Sequence, residues 1–132
     1  MKHLFDKQKA SDAAKKRWAL GTKHGDGRNP YILLWNSIKT NRSVKLKKID
    51  FTITPDDIEA LYKSQAGLCA LSGYTMNLNR GTIYSISVDR LDNSLGYVID
   101  NIRLVCKAVN IMRNTLSDLE LVAFCKKIAD KN

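Results

Sequence analysis

The sequence has few of the features that mark secreted or membrane-spanning proteins. Its 132 residues include three cysteines, and their odd number and wide spacing argue against a disulfide framework. The longest apolar run, residues 31–35, is far shorter than the roughly 20 residues that a membrane-spanning helix needs. The first residues lack the apolar core and the small-residue cleavage pattern of a secretory signal. We therefore expect a cytoplasmic protein without a membrane partner.

Acidic residues are scarce at the start of the chain, and the charge is unevenly distributed. The chain has 22 Lys and Arg against 13 Asp and Glu, a formal net charge of +9. Residues 1–50 carry 13 of the basic and 4 of the acidic side chains, whereas residues 51–132 carry nine of each. A neutral body preceded by a basic arm indicates a polyanionic partner. We therefore divide the chain into a mostly helical arm (1–50) and a body (51–132).

Three segments are indicated within the arm. Ser11 is a suitable helix N-cap and Gly21 a suitable helix stop, which predicts a short helix over residues 12–20. Asn29-Pro30 opens a second helix, whose apolar residues recur at helical spacing: Tyr31, Leu34, Trp35 and Ile38. Residues 44–51 partly alternate between basic and apolar side chains, and we expect a strand or an extended edge there.

The body begins with a strong helix start. Thr54-Pro55 supplies an N-cap hydroxyl and a proline at the first helical position, and two acidic residues follow. This helix should end before Gly67 and bury one face: Ile58, Leu61 and Tyr62. Alternation predicts a strand over residues 83–88, and a second short strand is expected over residues 102–105.

Two further helices are predicted at the end of the chain. The first is indicated by apolar residues at spacings of four, three and four: Val105, Val109, Met112 and Leu116. The second opens with a capping box over residues 117–120. Its inward side chains are expected to be Val122, Cys125 and Ile128.

Four polar residues surround the predicted strand–loop–strand–helix unit. Asp89 and Arg90 close the first strand, Asn101 opens the second, and Asn110 lies on the helix. The chain around them contains Ser-Val-Asp-Arg-Leu-Asp, Gly-Tyr and Asp-Asn-Ile-Arg-Leu-Val-Cys, and upstream lies Gln-Ala-Gly-Leu-Cys-Ala-Leu-Ser-Gly. In this combination the chain resembles the HNH (ββα-metal) nucleases, in particular phage-type and homing-type members. The resemblance covers about residues 54–128.

The resemblance implies a fold and an activity. The fold would be α+β, with a ββα-metal core of the HNH (His-Me finger) type preceded by the helical basic arm. The activity would be that of a Mg²⁺- or Mn²⁺-dependent DNA endonuclease, a hydrolase that nicks or cleaves phosphodiester bonds. In the family, the positions of Asp89 and Asn110 hold the metal, and that of Asn101 braces the loop between the strands. Carboxylate and amide oxygens suit Mg²⁺, which takes further ligands from water and phosphate.

Arg90 departs from the family pattern, because fuller members carry a histidine directly after the aspartate as the general base. Arginine has no accessible unprotonated form at neutral pH. The base would then be His24, Tyr97 or a metal-bound hydroxide, and Arg90 would bind phosphate or stabilise transition-state charge. A positioned base typically contributes about 10²–10⁴-fold to a rate. The alternative function is a catalytically impaired HNH-fold module that binds DNA, and an RNA-binding accessory domain is a third hypothesis.

The cysteines depart from the family pattern as well. Many HNH domains bind a structural zinc through two Cys-x-x-Cys pairs. Cys69 and Cys106 stand at the first position of each pair, but the second positions are Ser72 and Val109. We therefore expect no structural zinc, with both cysteines buried as small apolar side chains.

Double-stranded DNA is the expected partner. The basic side chains expected to contact it are Lys15, Lys16, Arg17, Arg28, Lys45, Lys47, Lys48 and Arg113. Arg113 follows Asn110 by three residues on one helical face, which would point it at a phosphate held by the metal. If each core holds one active site, symmetric double-strand cuts require a homodimer. A phage or mobile element acting in a bacterial host is the expected source.

Overall fold

A small antiparallel sheet and five α-helices form the part of the chain that the structure describes. The computed structural model describes residues 28–132, with the side chains of residues 42 and 43 excepted. The helices are α1 (Pro30–Lys39), α2 (Arg42–Lys47), α3 (Pro55–Ser64), α4 (Lys107–Arg113) and α5 (Asp118–Lys131). The strands are β1 (Ile86–Arg90) and β2 (Ile102–Cys106), with a 3₁₀ turn, Ile99–Asn101, before β2. The chain therefore has a mixed α+β fold, and the predicted helix over residues 12–20 lies outside the described residues.

Helix α1 forms where the sequence predicts it and joins the core of the body. The Asn29 side chain accepts hydrogen bonds from the first free N–H groups of the helix, at 2.9 and 3.2 Å. Tyr31 is buried, and its ring lies 5.9 Å from that of Tyr62 on α3. The Trp35 indole donates a 2.7 Å hydrogen bond to the carbonyl oxygen of Ile53. Residues 30–39, which we assigned to the arm from their charge, thus pack with the body.

The expected strand or extended edge over residues 44–51 is wrong for its first half, which forms helix α2. Asn41 accepts the first helical hydrogen bond of this turn, from Lys45 N–H at 3.1 Å. Only Val44 is buried, while Leu46 is 67 % exposed, so the alternation of side chains does not separate an inner from an outer face. The helix ends at Lys47, and the next residue, Lys48, has a φ of +49°. Phe51 then makes a single parallel bridge with Tyr97.

Helix α3 begins and ends as predicted. Thr54 and Asp57 form a reciprocal capping box with hydrogen bonds of 2.9 and 3.2 Å. Ile58 and Tyr62 are buried and Leu61 packs at the edge of the core. The face predicted from the spacing is therefore the face that is buried.

The segment after α3 ties this helix to strand β2. The Gln65 side chain binds the Leu104 backbone in both directions, donating to its carbonyl at 2.9 Å and accepting from its N–H at 3.0 Å. Gly67 has a φ of +72°, and a Cβ there would lie 2.9 Å from the hydroxyl of Tyr62. Side-chain hydrogen bonding and glycine geometry therefore fix this connection, which has no regular secondary structure.

Strand β1 lies about three residues later than predicted. Ile83 and Tyr84 are 60 % and 42 % exposed, because Ser85 closes a turn with Thr82 and Asn79 through its hydroxyl. From Ile86 onward the strand pairs with β2 in an antiparallel register that places Asp89 opposite Arg103. Strand β2 agrees with the prediction and is one residue longer.

The last two helices occur as predicted, but their buried faces differ. Helix α4 buries Val109 and Arg113, whereas Met112 is 50 % exposed. Helix α5 has the predicted capping box, with hydrogen bonds of 3.0 and 3.2 Å between Ser117 and Glu120. The prediction that Val122, Cys125 and Ile128 face inward is wrong, since all three are exposed and Leu121 is the buried residue. Helix α5 extends past the edge of the core. The spacing of its apolar residues alone therefore could not show which of its turns pack against the core.

Candidate functional site

The strand–loop–strand–helix unit brings the predicted site residues into one region. Asp89 lies near the end of β1, Asn101 precedes β2, and Asn110 lies on α4. Hairpin pairing puts the end of β1 beside the start of β2, and α4 follows β2 directly. Asp89 is only 4 % exposed. A buried carboxylate needs charged or hydrogen-bonding partners, so its partners define the chemistry of this region.

The partners of Asp89 are two arginines. Its Oδ2 accepts a 3.0 Å hydrogen bond from Nε of Arg103, the residue opposite it in the sheet. Its Oδ1 accepts a 2.8 Å hydrogen bond from Nη1 of Arg113 on α4. Each carboxylate oxygen therefore has its own guanidinium partner.

Asp118 closes this set of charges into a ring. Arg103 binds it through two hydrogen bonds of 2.8 and 2.7 Å, a bidentate pair. Nε of Arg113 lies 3.2 Å from Oδ1 of the same carboxylate. The hydrogen bond from Arg103 holds the pKa of Asp118 below its usual range, with a further contribution from Arg113. Two carboxylates and two guanidinium groups thus balance each other, and we call these four residues the charge ring.

Arg113 makes further bonds that fix its position. Its guanidinium donates to the backbone carbonyl oxygens of Arg90 and Leu91, both at 2.9 Å. Arg113 is 6 % exposed. The side chain is therefore buried beneath the end of β1. We expected it to point at a phosphate, but it does not reach the surface.

Asn110 lies on the same helix and is half-buried. Its amide nitrogen donates a 2.6 Å hydrogen bond to the Ser87 hydroxyl, and it lies 3.5 Å from the carbonyl oxygen of Val88. These bonds attach α4 to the middle of β1. The amide nitrogen, which is the donor end of this side chain, is the end that faces the strand.

Asn101 binds both ends of the loop between the strands. Its amide oxygen accepts from Asp92 N–H at 2.9 Å, and its amide nitrogen donates to the carbonyl oxygens of Asp92 and Gly96 at 3.0 and 2.9 Å. Asn101 is 5 % exposed. One side chain therefore supplies three hydrogen bonds to the backbone of the loop.

Arg90 folds over the same loop. Its Nη1 donates to the carbonyl oxygens of Asn93 and Leu95 at 3.2 and 3.0 Å. The guanidinium carbon lies 5.2 Å from the ring centroid of Tyr97, a cation–π distance. Arg90 thus stabilises the loop, at the position where the resemblance to HNH nucleases would place a histidine base. Tyr97 is in contact with Arg90, and His24 lies outside the described residues.

Gly96 allows the loop to pass close to another part of the chain. A Cβ at this position would overlap the backbone carbonyl of Asp50. The neighbouring residue, Tyr97, donates its N–H to that same carbonyl oxygen at 2.8 Å. The loop is therefore held from inside by Asn101 and from outside by the segment that precedes α3.

Around Asp89, the residues fit a guanidinium better than a divalent cation. Mg²⁺ needs carboxylate oxygens in its first coordination sphere, and both oxygens of Asp89 already accept from arginines. The positive charges of Arg103 and Arg113 beside this carboxylate repel a metal cation that approaches it. Among residues 28–132, no group of three or more His, Cys, Asp or Glu side chains is placed to hold a metal ion.

The two predicted core cysteines are buried and adjacent. Cys69 is 3 % and Cys106 2 % exposed, and the Cys106 N–H donates to the Cys69 sulfur at 3.3 Å. A hydrogen bond from the Cys106 side chain, together with the Ser72 N–H, lowers the pKa of the Cys69 thiol despite its burial. The same contact with Cys69, reinforced by burial, raises the pKa of Cys106.

The predicted DNA-contacting residues fall into three groups. Four are exposed around helices α1 and α2: Arg28, Lys45, Lys47 and Lys48. Arg113 is buried in the charge ring. Three lie outside the described residues: Lys15, Lys16 and Arg17.

Sequence reasoning missed two members of the charge ring, Arg103 and Asp118. The register of the hairpin would have indicated Arg103, because it stands opposite Asp89. Asp118 was interpreted only as part of the helix start, and no local signal indicates that its carboxylate reaches two arginines.

The chain that carries the charge ring has limited similarity to known proteins. An uncharacterized protein of Acanthamoeba polyphaga mimivirus is 28 % identical over 130 residues, which cover 94 % of this chain. The same alignment covers 22 % of that protein, so the chain spans about a fifth of the relative's length. No family model matches the chain, and no solved structure matches it. Within residues 28–132, no helix is long and apolar enough to cross a membrane.

Proposed function

We propose that this chain is a double-stranded DNA-binding module built on an HNH-like strand–loop–strand–helix unit. The lysine-rich region around α2 would bind the phosphate backbone. The charge ring would stabilise the unit, whereas the family uses the corresponding position for a metal. This proposal favours the binding alternative over the metal-dependent endonuclease.

One observation carries the proposal. Both oxygens of the Asp89 carboxylate are bound by arginines, one half-buried and one buried, at 3.0 and 2.8 Å. The residue that would have to be the principal metal ligand is therefore engaged in holding the fold together. Arg90, which replaces the usual base, is likewise engaged with loop carbonyls.

The location of exposed positive charge supports DNA as the partner. Lys45, Lys47 and Lys48 are exposed within four residues of the chain, and the whole net charge of +9 lies within residues 1–50. Backbone binding of this kind depends on cation number and spacing, and not on base sequence. A short lysine-rich helix beside a neutral body is suited to such contacts.

A Mg²⁺- or Mn²⁺-dependent DNA endonuclease of the HNH type is the second candidate. It is favoured by a specific observation: Asp89, Asn101 and Asn110 occupy the end of one strand, the start of the next and the following helix, in the family's order. Cleavage would require the arginines to release Asp89 when DNA and metal bind. The source, the cytoplasmic location and the RNA-binding hypothesis remain predictions from the sequence.

Two assays on the same protein separate the candidates. Binding to a duplex is measured by fluorescence anisotropy over a range of salt concentrations, and cleavage by relaxation of supercoiled plasmid in Mg²⁺, in Mn²⁺ and in EDTA. The binding proposal expects salt-dependent binding without metal-dependent relaxation. Metal-dependent relaxation that is lost in Asp89→Asn, at a temperature where circular dichroism shows the variant to be folded, would establish the endonuclease.

A matched pair of variants tests where the DNA binds. Replacing Lys45, Lys47 and Lys48 by Gln should reduce the slope of log K against log salt by about 2 to 3, because each lost phosphate contact removes about 0.9. The control replaces three exposed cations of the body by Gln: Lys63, Arg80 and Lys126. Equal effects of the two triple variants would contradict the assignment of the α2 region as the DNA contact.

A further inference from the structure

Helix α5 extends beyond the core with an uncovered apolar stripe. Leu121 in its first turns is 6 % exposed, but Phe124 and Ile128 are 60 % and 62 % exposed and Cys125 is exposed as well. Phe124, Cys125 and Ile128 follow Leu121 by three, four and seven residues. These spacings place all four residues on one face of the helix. We call these four residues the α5 stripe. Its first residue is buried in this copy of the chain, and the other three have no cover from the described residues.

The α5 stripe is nearly symmetric about the middle of its helix. The midpoint of Asp118–Lys131 falls between Phe124 and Cys125. Reversing the helix about that point exchanges Leu121 with Ile128, which are both branched aliphatic residues, and places the two central residues opposite each other. A two-fold axis at this midpoint brings Phe124 and Cys125 of one copy opposite Cys125 and Phe124 of the other, whereas Leu121 is buried in its own copy.

The charges beside the stripe have the same property. Glu120 flanks the stripe near the start of α5, and Lys127 and Lys131 flank the same side near its end, as the 3.6-residue period of the helix requires. In an antiparallel pair of α5 helices, Glu120 of one copy would therefore lie beside the two lysines of the other. A parallel two-fold pair would instead bring this flank of one helix beside the opposite flank of its partner, so these charges would not pair.

From this stripe and its charges we propose that a second copy of this chain covers the α5 stripe. The two α5 helices pack antiparallel, with Phe124 and Cys125 at the two-fold axis and Ile128 near each end. Because only three apolar side chains per copy are available, the interface is small and the dimer should be weak, with a Kd of about micromolar or higher. The proposal does not depend on what the body binds.

Sedimentation equilibrium of the full chain over a range of concentrations tests the interface. Wild type should show a reversible monomer–dimer equilibrium, and Phe124→Gln/Ile128→Gln should raise the Kd at least about tenfold, as expected for central apolar contacts. The control, Leu119→Gln/Val122→Gln, removes two apolar side chains of 85 % and 38 % exposure that lie off the stripe, and it should dimerise like wild type. A monomer at every concentration, or equal weakening by the two variants, would overturn the proposal.

Cross-linking tests the antiparallel register. Diamide oxidises two Cys125 thiols to one intermolecular disulfide and takes up both hydrogens as its hydrazine, so no other reactant is needed. Cys69 and Cys106 are buried and should not react. Wild type should form a covalent dimer and Cys125→Ser should not. A concentration-dependent dimer that fails to cross-link through Cys125 would contradict the register.

Reversal of charge gives a third, independent measurement. Lys127→Glu/Lys131→Glu should weaken dimerisation, and the further change Glu120→Lys should restore it, because the pairing of opposite charges is then rebuilt. Circular dichroism checks that α5 remains helical, since Glu120 also belongs to the capping box. If the triple variant with wild-type helicity dimerises no better than the double variant, the flanking charges do not set the arrangement and the proposal fails.

Discussion

Nη1 of Arg113 lies 2.8 Å from Oδ1 of Asp89, and both side chains are buried. The two residues are 24 positions apart in the chain, and their contact holds helix α4 against the end of strand β1. A buried carboxylate with a guanidinium on each oxygen contributes to the fold chiefly because its loss takes one of two carboxylate partners from each arginine, and Arg113 is buried. Substitutions in the charge ring should therefore lower the free energy of unfolding.

Asp89→Asn should strongly destabilise the protein. The substitution keeps the size of the side chain but removes the charge that balances two arginines, and loss of one partner from a buried ion pair typically costs about 3–5 kcal/mol. The free energy of unfolding is measured by urea denaturation, without added metal. Asp130→Asn, at an exposed position on α5, is the control and should change stability by less than about 0.5 kcal/mol. Equal stability of Asp89→Asn and wild type would show that the charge ring does not hold the fold.

Asn101→Ala should loosen the loop between the strands. The change removes three hydrogen bonds at a buried position and leaves the N–H of Asp92 and the carbonyl oxygen of Gly96 without this partner, for an expected loss of about 2–3 kcal/mol. Asn93→Ala removes one exposed bond, to the carbonyl of Asn114, and should cost much less. Hydrogen exchange should place the added flexibility in residues 91–96. A uniform change across the protein would argue against a local clamp.

Acid should weaken the charge ring through Asp118. Because arginine holds the pKa of Asp118 below its ordinary value of 3.8, the pair stabilises the fold fully above that pH. This contribution is lost as the pH falls through the lower pKa of the folded state. The difference in unfolding free energy between wild type and Asp118→Asn should therefore be constant near neutral pH and shrink below about pH 4. A difference that grows in acid would contradict the assignment.

Divalent metal should leave the thermal stability unchanged. A ligand that binds only the folded state raises Tm, by an amount that grows with the logarithm of its concentration relative to its Kd, and Asp89 is already neutralised by arginines. We expect the same Tm in Mg²⁺, in Mn²⁺ and in EDTA. A rise in Tm with Mn²⁺ that disappears in Asp89→Asn would instead locate a metal at this residue and favour the endonuclease.

Local signals account for the elements that the sequence predicted well. The starts of α1, α3 and α5 depend on side chains within three residues of the helix end, Asn29, Thr54 and Ser117. Such contacts form between residues that are close in the sequence, and they do not depend on the rest of the fold. The hairpin was likewise predicted because its strands are close in sequence.

Non-local contacts explain what the sequence did not predict. The alternation over residues 44–51 resembles a strand, but residues 42–47 form helix α2. Among the described side chains of this helix, Val44 is the buried one. Arg113 looks like a surface cation until the register of β1 and β2 brings Asp89 beside it. Asp89, Asn101 and Asn110 could be located in advance, whereas the arginine partners that determine the chemistry of Asp89 could not.

The two-way hydrogen bonding between Gln65 and Leu104 has a consequence for folding during synthesis. Gln65 leaves the ribosome 39 residues before its partner, and the core cluster that includes Ile58 and Met76 is completed only by side chains from β2 and α4. A nascent chain that stops before residue 102 therefore has no strand for Gln65 to bind and leaves its apolar residues open to water. Folding of this core must therefore wait until β2 and α4 have been synthesised, and the apolar residues exposed in that interval favour aggregation.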